Sequence, residues 1–260
     1  NRLITKSKST NYISILLSNQ VDSPNSLPNK YINYDLIAGV EKLEAIHSNE
    51  DSFQELREFH KKYSDWMFGY FSYDLKNEIE DLVSENEDGI DANNLSFFIP
   101  KFVLLLEGNK LEVLTFQKKE QTNKLFKSLE VSKLSKRHQI ILKQKESKED
   151  YLYKIDKIKQ HIQRGDIYEM NYCLEYFSRD VSLHAEDLFI NLNNICKTPF
   201  AGFLHINEHY ILSASPERFI RKEGNGIISQ PIKGTIRRGR SIDEDKKLIY
   251  KLENSQKDIS

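Results

Sequence analysis

The sequence predicts an α+β fold, with antiparallel β-sheets packed as a sandwich and helices outside. Three observations carry this. Short apolar segments, several alternating with period two, are separated by polar turns, as half-buried strands require. Amphipathic segments with helix start and stop signals are inserted between them, the pattern of an antiparallel α+β domain. No repeat period runs through the 260 residues, which removes solenoids and propellers.

Tyr12 to Leu17 reads as a strand, followed by a loop rich in Asn, Ser and Pro. Ser52 is placed to cap a helix with Phe53, Leu56 and Phe59 on one face. Trp66 to Asp74 is a nearly continuous apolar strand, in which Gly69 marks a bulge or a close backbone approach. Phe97 to Pro100 and Phe102 to Leu106 supply another strand, and Gly108-Asn109 turns the chain into Leu111 to Phe116.

Lys118 to Lys145 is basic and poor in apolar anchors. A nucleic-acid arm would interleave aromatics with its cations; Phe126 stands alone here, and a solvated helix and linker fits better. The predicted organisation is an amino-terminal segment over 1–117, a basic connector over 118–146 and a second segment over 147–260. In the latter, Ser147 and Asp150 form a capping box. Tyr151, Ile155, Ile158 and Ile162 make a helical stripe, and Gly165 ends the helix. A strand over 167–177, a helix with Leu188, Phe189, Leu192 and Ile195, and strands over 200–206, 210–214 and 226–232 follow.

Composition sets the class. A hydrophobic fraction of 38% with 30% charged residues is that of a globular chain, and a formal net charge of -1 gives no general affinity for nucleic acid or anionic membrane. No apolar run approaches the ~20 residues of a membrane helix, and no signal-peptide stretch opens the chain. Two cysteines, Cys173 and Cys196, make no disulfide framework, so a reducing cytoplasm is the expected compartment. Both ends read as cut: the chain opens on Asn1, and a helix carrying Leu248, Ile249 and Leu252 reaches Ser260 without a stop signal.

Four clusters could carry chemistry, and each has a plain structural alternative. Gly165 to Asn171 joins a helix end to a strand and equally suits a tight turn. Ser215-Pro216-Glu217-Arg218-Phe219 sets a carboxylate beside a guanidinium at a strand end, where functional residues concentrate; the alternative is a surface ion pair. Pro231-Ile232-Lys233-Gly234-Thr235 puts an amine before a Gly-Thr turn, either as a nucleophile or as a solvated loop lysine. A reference pKa of ~10.4 makes deprotonation near neutral pH cost about 4 kcal/mol, within reach of the ~3–5 unit depression that burial can produce. Ile236-Arg237-Arg238-Gly239-Arg240 is a basic patch that could steer an anion, assist that depression, or simply be a solvated turn.

In this order and spacing, the clusters resemble the chorismate-binding enzymes: anthranilate synthase component I, aminodeoxychorismate synthase component I, and the isochorismate and salicylate synthases. Phe68-Gly69-Tyr70-Phe71-Ser72-Tyr73-Asp74 is similar to the family's amino-terminal segment. Gly165 to Asn171, Thr198-Pro199-Phe200-Ala201-Gly202-Phe203, Ser215 to Phe219 and Pro231 to Thr235 are similar to its chorismate-binding segment. Water-adding members carry Lys where this chain has Glu169. Anthranilate synthases carry a small residue at the position of Lys233, and aminodeoxychorismate synthases carry Lys there. The resemblance is therefore greatest to the aminodeoxychorismate synthases.

It implies conversion of chorismate and ammonia to 4-amino-4-deoxychorismate, on the route to p-aminobenzoate and folate. Lys233 would be the nucleophile, Glu217 the acid/base carboxylate, and Gly234 and Thr235 part of the ring pocket. It also implies Mg2+ held by Glu residues beyond Ser260, and a glutamine amidotransferase partner that supplies ammonia. No metal ligand is expected within the chain itself, and residues 1–260 alone are expected not to turn over. Ser18, after Leu16-Leu17, is similar to a family element that contacts tryptophan, with the register off by one; a plain strand end is the alternative. The rival activities are those of anthranilate synthase component I and of a non-catalytic fragment that docks the amidotransferase.

Overall fold

The computed structural model describes residues 2–19, 33–129, 140–232 and 234–255. They form two units, one of residues 1–132 with 189–260 and one of residues 133–188.

The larger unit is built on a seven-stranded antiparallel sheet. Its strands are β1 (Tyr12–Leu17), β2 (Leu36–Ser48), β3 (Phe68–Phe71), β4 (Leu95–Glu107), β5 (Lys110–Leu114), β8 (Phe200–Ile206) and β9 (His209–Ser215). They lie in the order β3-β4-β2-β1-β8-β9, with β5 also paired to β4. Strands from both predicted segments thus share one sheet: Tyr12 faces Ile206 and Leu17 faces Ala201. Tyr12, Ile13, Ser14 and Ile15 are all buried, so the centre of the sheet is covered on both faces. One cluster holds Tyr12, Phe68, Phe98, Val103, Leu105, Leu204 and Ile206. Phe189, from helix α4 (Ala185–Cys196), meets Phe203 with ring centroids 5.5 Å apart.

The strand predicted from the runs 97–100 and 102–106 is found, as one thirteen-residue strand running through Pro100. Proline cannot donate to a ladder, and it is accommodated because β2 is irregular opposite it. Lys42 faces Pro100, the register shifts between Lys42 and Glu44, and Glu41 takes φ 57°. Strand β3 is shorter than the apolar run suggests, since the chain turns into a 3-10 helix at Tyr73–Glu78. Gly69 is a close backbone approach: a Cβ there would lie 2.0 Å from the Ser96 carbonyl oxygen.

Ser52 does not cap helix α1 (Ser52–Tyr63) as its sequence position suggests. It is the first helical residue, after Asp51 in the left-handed region. Its N–H and hydroxyl instead donate to the Glu78 carboxylate at 2.9 and 2.6 Å. The basic stretch contains helix α2 (Lys119–Lys127), anchored by buried Leu125. Strands β10 (Arg218–Glu223) and β11 (Gly226–Gln230) form a separate hairpin, and helix α5 (Ile242–Glu253) follows.

The smaller unit contains helix α3 (Lys148–Arg164) and the two-residue strands β6 (Lys143–Gln144) and β7 (Tyr176–Phe177). Helix α3 has the predicted ends. Ser147 Oγ accepts from Asp150 N–H at 3.0 Å, and Gly165 closes the helix at φ 81°. The predicted strand over 167–177 is confined to Tyr176–Phe177. In α4, Phe189 and Ile190 are buried, whereas Ile195 is 83% exposed, so the apolar face is turned from the predicted one. Among the described residues no helix is long and apolar enough to cross a membrane.

Candidate functional site

The predicted catalytic residues fall around the β10–β11 hairpin. Arg218, the first residue of β10, pairs with Gln230, the last of β11. Glu217 therefore precedes, and Pro231 follows, the same end of one hairpin. Glu217 is exposed at a turn in which its N–H donates to Ser215 Oγ at 3.2 Å, and that hydroxyl donates to the Glu217 carbonyl at 3.0 Å. Arg218 Nε donates to Gln230 Oε1 at 2.8 Å, tying the two strand ends by side chains as well as by backbone.

Lys233 itself lies outside the described residues. Next to it, Gly234 is half-buried at φ 69°, a left-handed conformation that glycine adopts without strain. Thr235 is exposed. The turn from Gly165 to Asn171, with Glu169, belongs to the other unit.

The basic patch fits the solvated-turn alternative, with Arg237 and Arg238 exposed and paired. Arg237 donates to the Glu244 carboxylate, and Arg238 makes two bonds to Asp245, at 2.9 and 2.6 Å. These arginines hold the Glu244 and Asp245 carboxyls below the usual carboxylate range, with the backbone N–H groups of Arg240 and Gly239 adding to the effect. These two guanidiniums are thus paired with carboxylates of helix α5, which weakens the field they offer an anion. Alternation and helical spacing cannot reveal such pairs, because each joins residues seven apart across a turn.

A cavity of about 340 Å³ opens beside the hairpin, within the range of small-molecule sites. Leu17, Ser18, Tyr34, Phe200, Arg218 and Arg221 are among its lining. Ser18 is 7% exposed, and its hydroxyl has no hydrogen-bond partner among the described residues. A buried hydroxyl without a partner costs about 1–3 kcal/mol, so a polar ligand atom there would be favoured. The Arg218 guanidinium lies 4.8 Å over the Phe200 ring; burial and then the Arg221 charge push its pKa below the ordinary value. Asn19, next to Ser18, exchanges amide hydrogen bonds with Asn193 at 2.7 and 3.0 Å and donates to the Thr198 carbonyl at 2.7 Å. This clasp holds the Pro199–Phe200 wall, and no sequence pattern joins residues so far apart.

Among the described residues, no three His, Cys, Asp or Glu side chains converge as a metal site.

An antiparallel sheet followed by a β10–β11 hairpin, with Glu217 before its first strand and Pro231 after its last, defines a class that comparison makes explicit. The sequence profile of the chorismate binding enzymes matches residues 9–260, and the chain belongs to that family. It is 30% identical to aminodeoxychorismate synthase component 1 of Escherichia coli (strain K12) over 194 residues, which is 73% of this chain and 42% of that protein. To anthranilate synthase component 1 of Thermus thermophilus it is 32% identical over 114 residues, 44% of this chain and 24% of that one. The crystal structure of anthranilate synthase component I from Streptococcus pneumoniae superposes with TM-score 0.69 at 17% identity, covering 92% of this chain and 61% of that one. The chain thus spans less than half the length of its aminodeoxychorismate synthase relative.

Proposed function

We propose that the protein is an aminodeoxychorismate synthase component I, converting chorismate and ammonia to 4-amino-4-deoxychorismate and water. The carrying observation is Lys233 in Pro-Ile-Lys-Gly-Thr, on a segment that leaves the same hairpin end as Glu217. The neutral Lys233 amine attacks C2 of chorismate. The ring double bonds shift, and the C4 hydroxyl departs as water with a proton from Glu217. Ammonia then attacks C4, the double bonds return, and the lysine nitrogen leaves C2. Glu217 is reprotonated by the proton the incoming ammonia gives up. Two allylic displacements thus replace one difficult substitution.

The exposed turn at Ser215–Glu217 lets this carboxyl exchange protons with solvent between the steps. Mg2+, when bound, would neutralise a substrate carboxylate. Ammonia would come from a glutamine amidotransferase subunit, and the reaction would take place in the cytoplasm.

The test is the full-length protein with chorismate and ammonium, with product identified by mass. Lys233→Ala should abolish both the covalent lysine adduct and aminodeoxychorismate. Full product formation by that variant would refute the nucleophile assignment, and anthranilate as product would establish the rival activity.

The cavity at Ser18 supports a second reading, a site for tryptophan. The apolar wall of Leu17 and Phe200 suits an indole, and the Ser18 hydroxyl and Arg218 suit its polar end. Tryptophan should raise the melting temperature of the wild type but not of Ser18→Leu. An equal shift in both would place tryptophan elsewhere.

A further inference from the structure

We propose that Glu244 and Asp245, on the first turn of α5, are positioning residues that fasten the loop bearing Lys233; this rests on the reading of Lys233 as nucleophile. Residues 231–241 join β11 to α5, and those described have no regular secondary structure. Such a connection moves freely unless something pins it. The proximal end is pinned at Gln230, by its register with Arg218 and by the 2.8 Å bond from Arg218 Nε.

The distal end is pinned by α5 through several contacts. Asp245 accepts twice from Arg238 and once from the Gly239 N–H at 2.7 Å. Glu244 accepts from Arg237 and from the Arg240 N–H at 2.6 Å. Four consecutive residues, 237 to 240, are therefore each held by one of two adjacent carboxylates. The approach is so close that a Cβ on Gly239 would lie 2.2 Å from the Asp245 backbone nitrogen. Ser241 Oγ accepts from the Glu244 N–H at 3.2 Å, fixing the helix start and with it the direction of the carboxylates.

Geometry makes the consequence local. Lys233 is four residues from Arg237, at most ~14 Å of extended chain, so slack at the distal end would be felt at the amine. A misplacement of about 1 Å at a reacting group can cost on the order of a hundredfold in rate. The clip would therefore act on the rate of adduct formation, leaving the affinity for chorismate nearly as it is. Both ends must hold, because a segment pinned at one end alone swings.

The experiment compares Arg238→Ala, Asp245→Ala, Arg238→Lys, Asp245→Glu and Lys233→Ala in the full-length protein. It measures steady-state kinetics with ammonium and the rate of lysine-adduct formation by intact-protein mass spectrometry. Arg238 is 71% exposed, so Arg238→Ala should leave the fold intact, which the melting temperature checks. The two alanine variants should slow adduct formation roughly ten- to a hundredfold with KM for chorismate within about twofold. The conservative variants should recover most of that loss. Wild-type rates in both alanine variants, with Lys233→Ala inactive, would overturn the clip alone. A rise in KM without a fall in kcat would overturn it too, by assigning the contacts to binding. Continued turnover by Lys233→Ala would instead sink the nucleophile reading, and the clip with it.

Discussion

Replacing Gly69 with alanine should detach strand β3 from the sheet. Gly69 pairs with Phe97, and an added methyl would lie 2.0 Å from the Ser96 carbonyl oxygen and 2.7 Å from Phe97 Cα. Both are backbone atoms of the long central strand β4, so neither can turn aside as a side chain would. The strand that yields must be β3, which has only four residues. Its departure would expose Phe68, now 6% exposed, at a cost of about 1.5–3 kcal/mol. It would also break the ladder, at about 0.5–1.5 kcal/mol per net hydrogen bond. Together these come to about 3–5 kcal/mol, a large share of the roughly 5–15 kcal/mol that holds a domain folded. Hydrogen exchange reads this directly. In the full-length protein, those amides over 95–98 that donate to β3, every second one, should exchange at least a hundredfold faster in Gly69→Ala, while those that donate to β2 keep their protection. Gly89→Ala is the control, since a Cβ there meets nothing within 4 Å. It should leave exchange unchanged or slightly slowed. Exchange in Gly69→Ala within about threefold of wild type would refute the steric argument.

Two further outcomes concern the core. His47 is bonded by Tyr12 Oη at 3.1 Å, Ser96 Oγ at 3.0 Å and Asn207 Nδ2 at 3.4 Å; burial and then the Lys42 charge lower its pKa, against a smaller opposing effect of Glu208. The unfolded chain then binds a proton at a higher pH than the folded one, so stability should fall as pH drops below about 6.5. Denaturant unfolding at pH 7.5 and 5.5 should show a greater loss in wild type than in His47→Gln; equal losses would discard this account. Phe203 is fully buried between Phe189 and Tyr210, so Phe203→Ala should cost about 3–5 kcal/mol, and a loss below about 1 kcal/mol in the same measurement would contradict its place in the core.

Where local chemistry decides the structure, the residues announce it. Helix α3 has its cap, stripe and terminal glycine within nineteen consecutive residues, and it folds with the predicted ends. Strand β2 has no such signature: Gly39, Glu41, Lys42 and Glu44 interrupt its apolar positions, yet it lies at the centre of the sheet. Tertiary pairing with β1 and β4 overrides that weak propensity. Ser52 failed as a cap because Glu78, twenty-six residues on, competes for its hydroxyl. At the site, residue chemistry marks Glu217 and Lys233 as candidates with plain structural alternatives, and only motif resemblance gives them roles, since a loop lysine or an exposed glutamate has no periodicity. The pairing of Arg237 and Arg238 with α5, and the Asn19–Asn193 clasp, are products of the fold that no local pattern encodes.

The placement of β8 beside β1 has a consequence for how the chain is made. Tyr12 and Asn207, bonded at 2.6 Å, are separated by 195 residues. At roughly 5–20 residues per second, strand β1 leaves the ribosome some ten to forty seconds before its neighbour exists. Until then one edge of a strongly apolar strand stands open to pairing with other chains. Closing so long a loop also costs about 5 kcal/mol of chain entropy before the new contacts repay it. The sheet is thus finished late, by a strand that brings in the segment leading to the β10–β11 hairpin. A nascent chain therefore completes its central sheet only moments before it acquires the residues proposed to react.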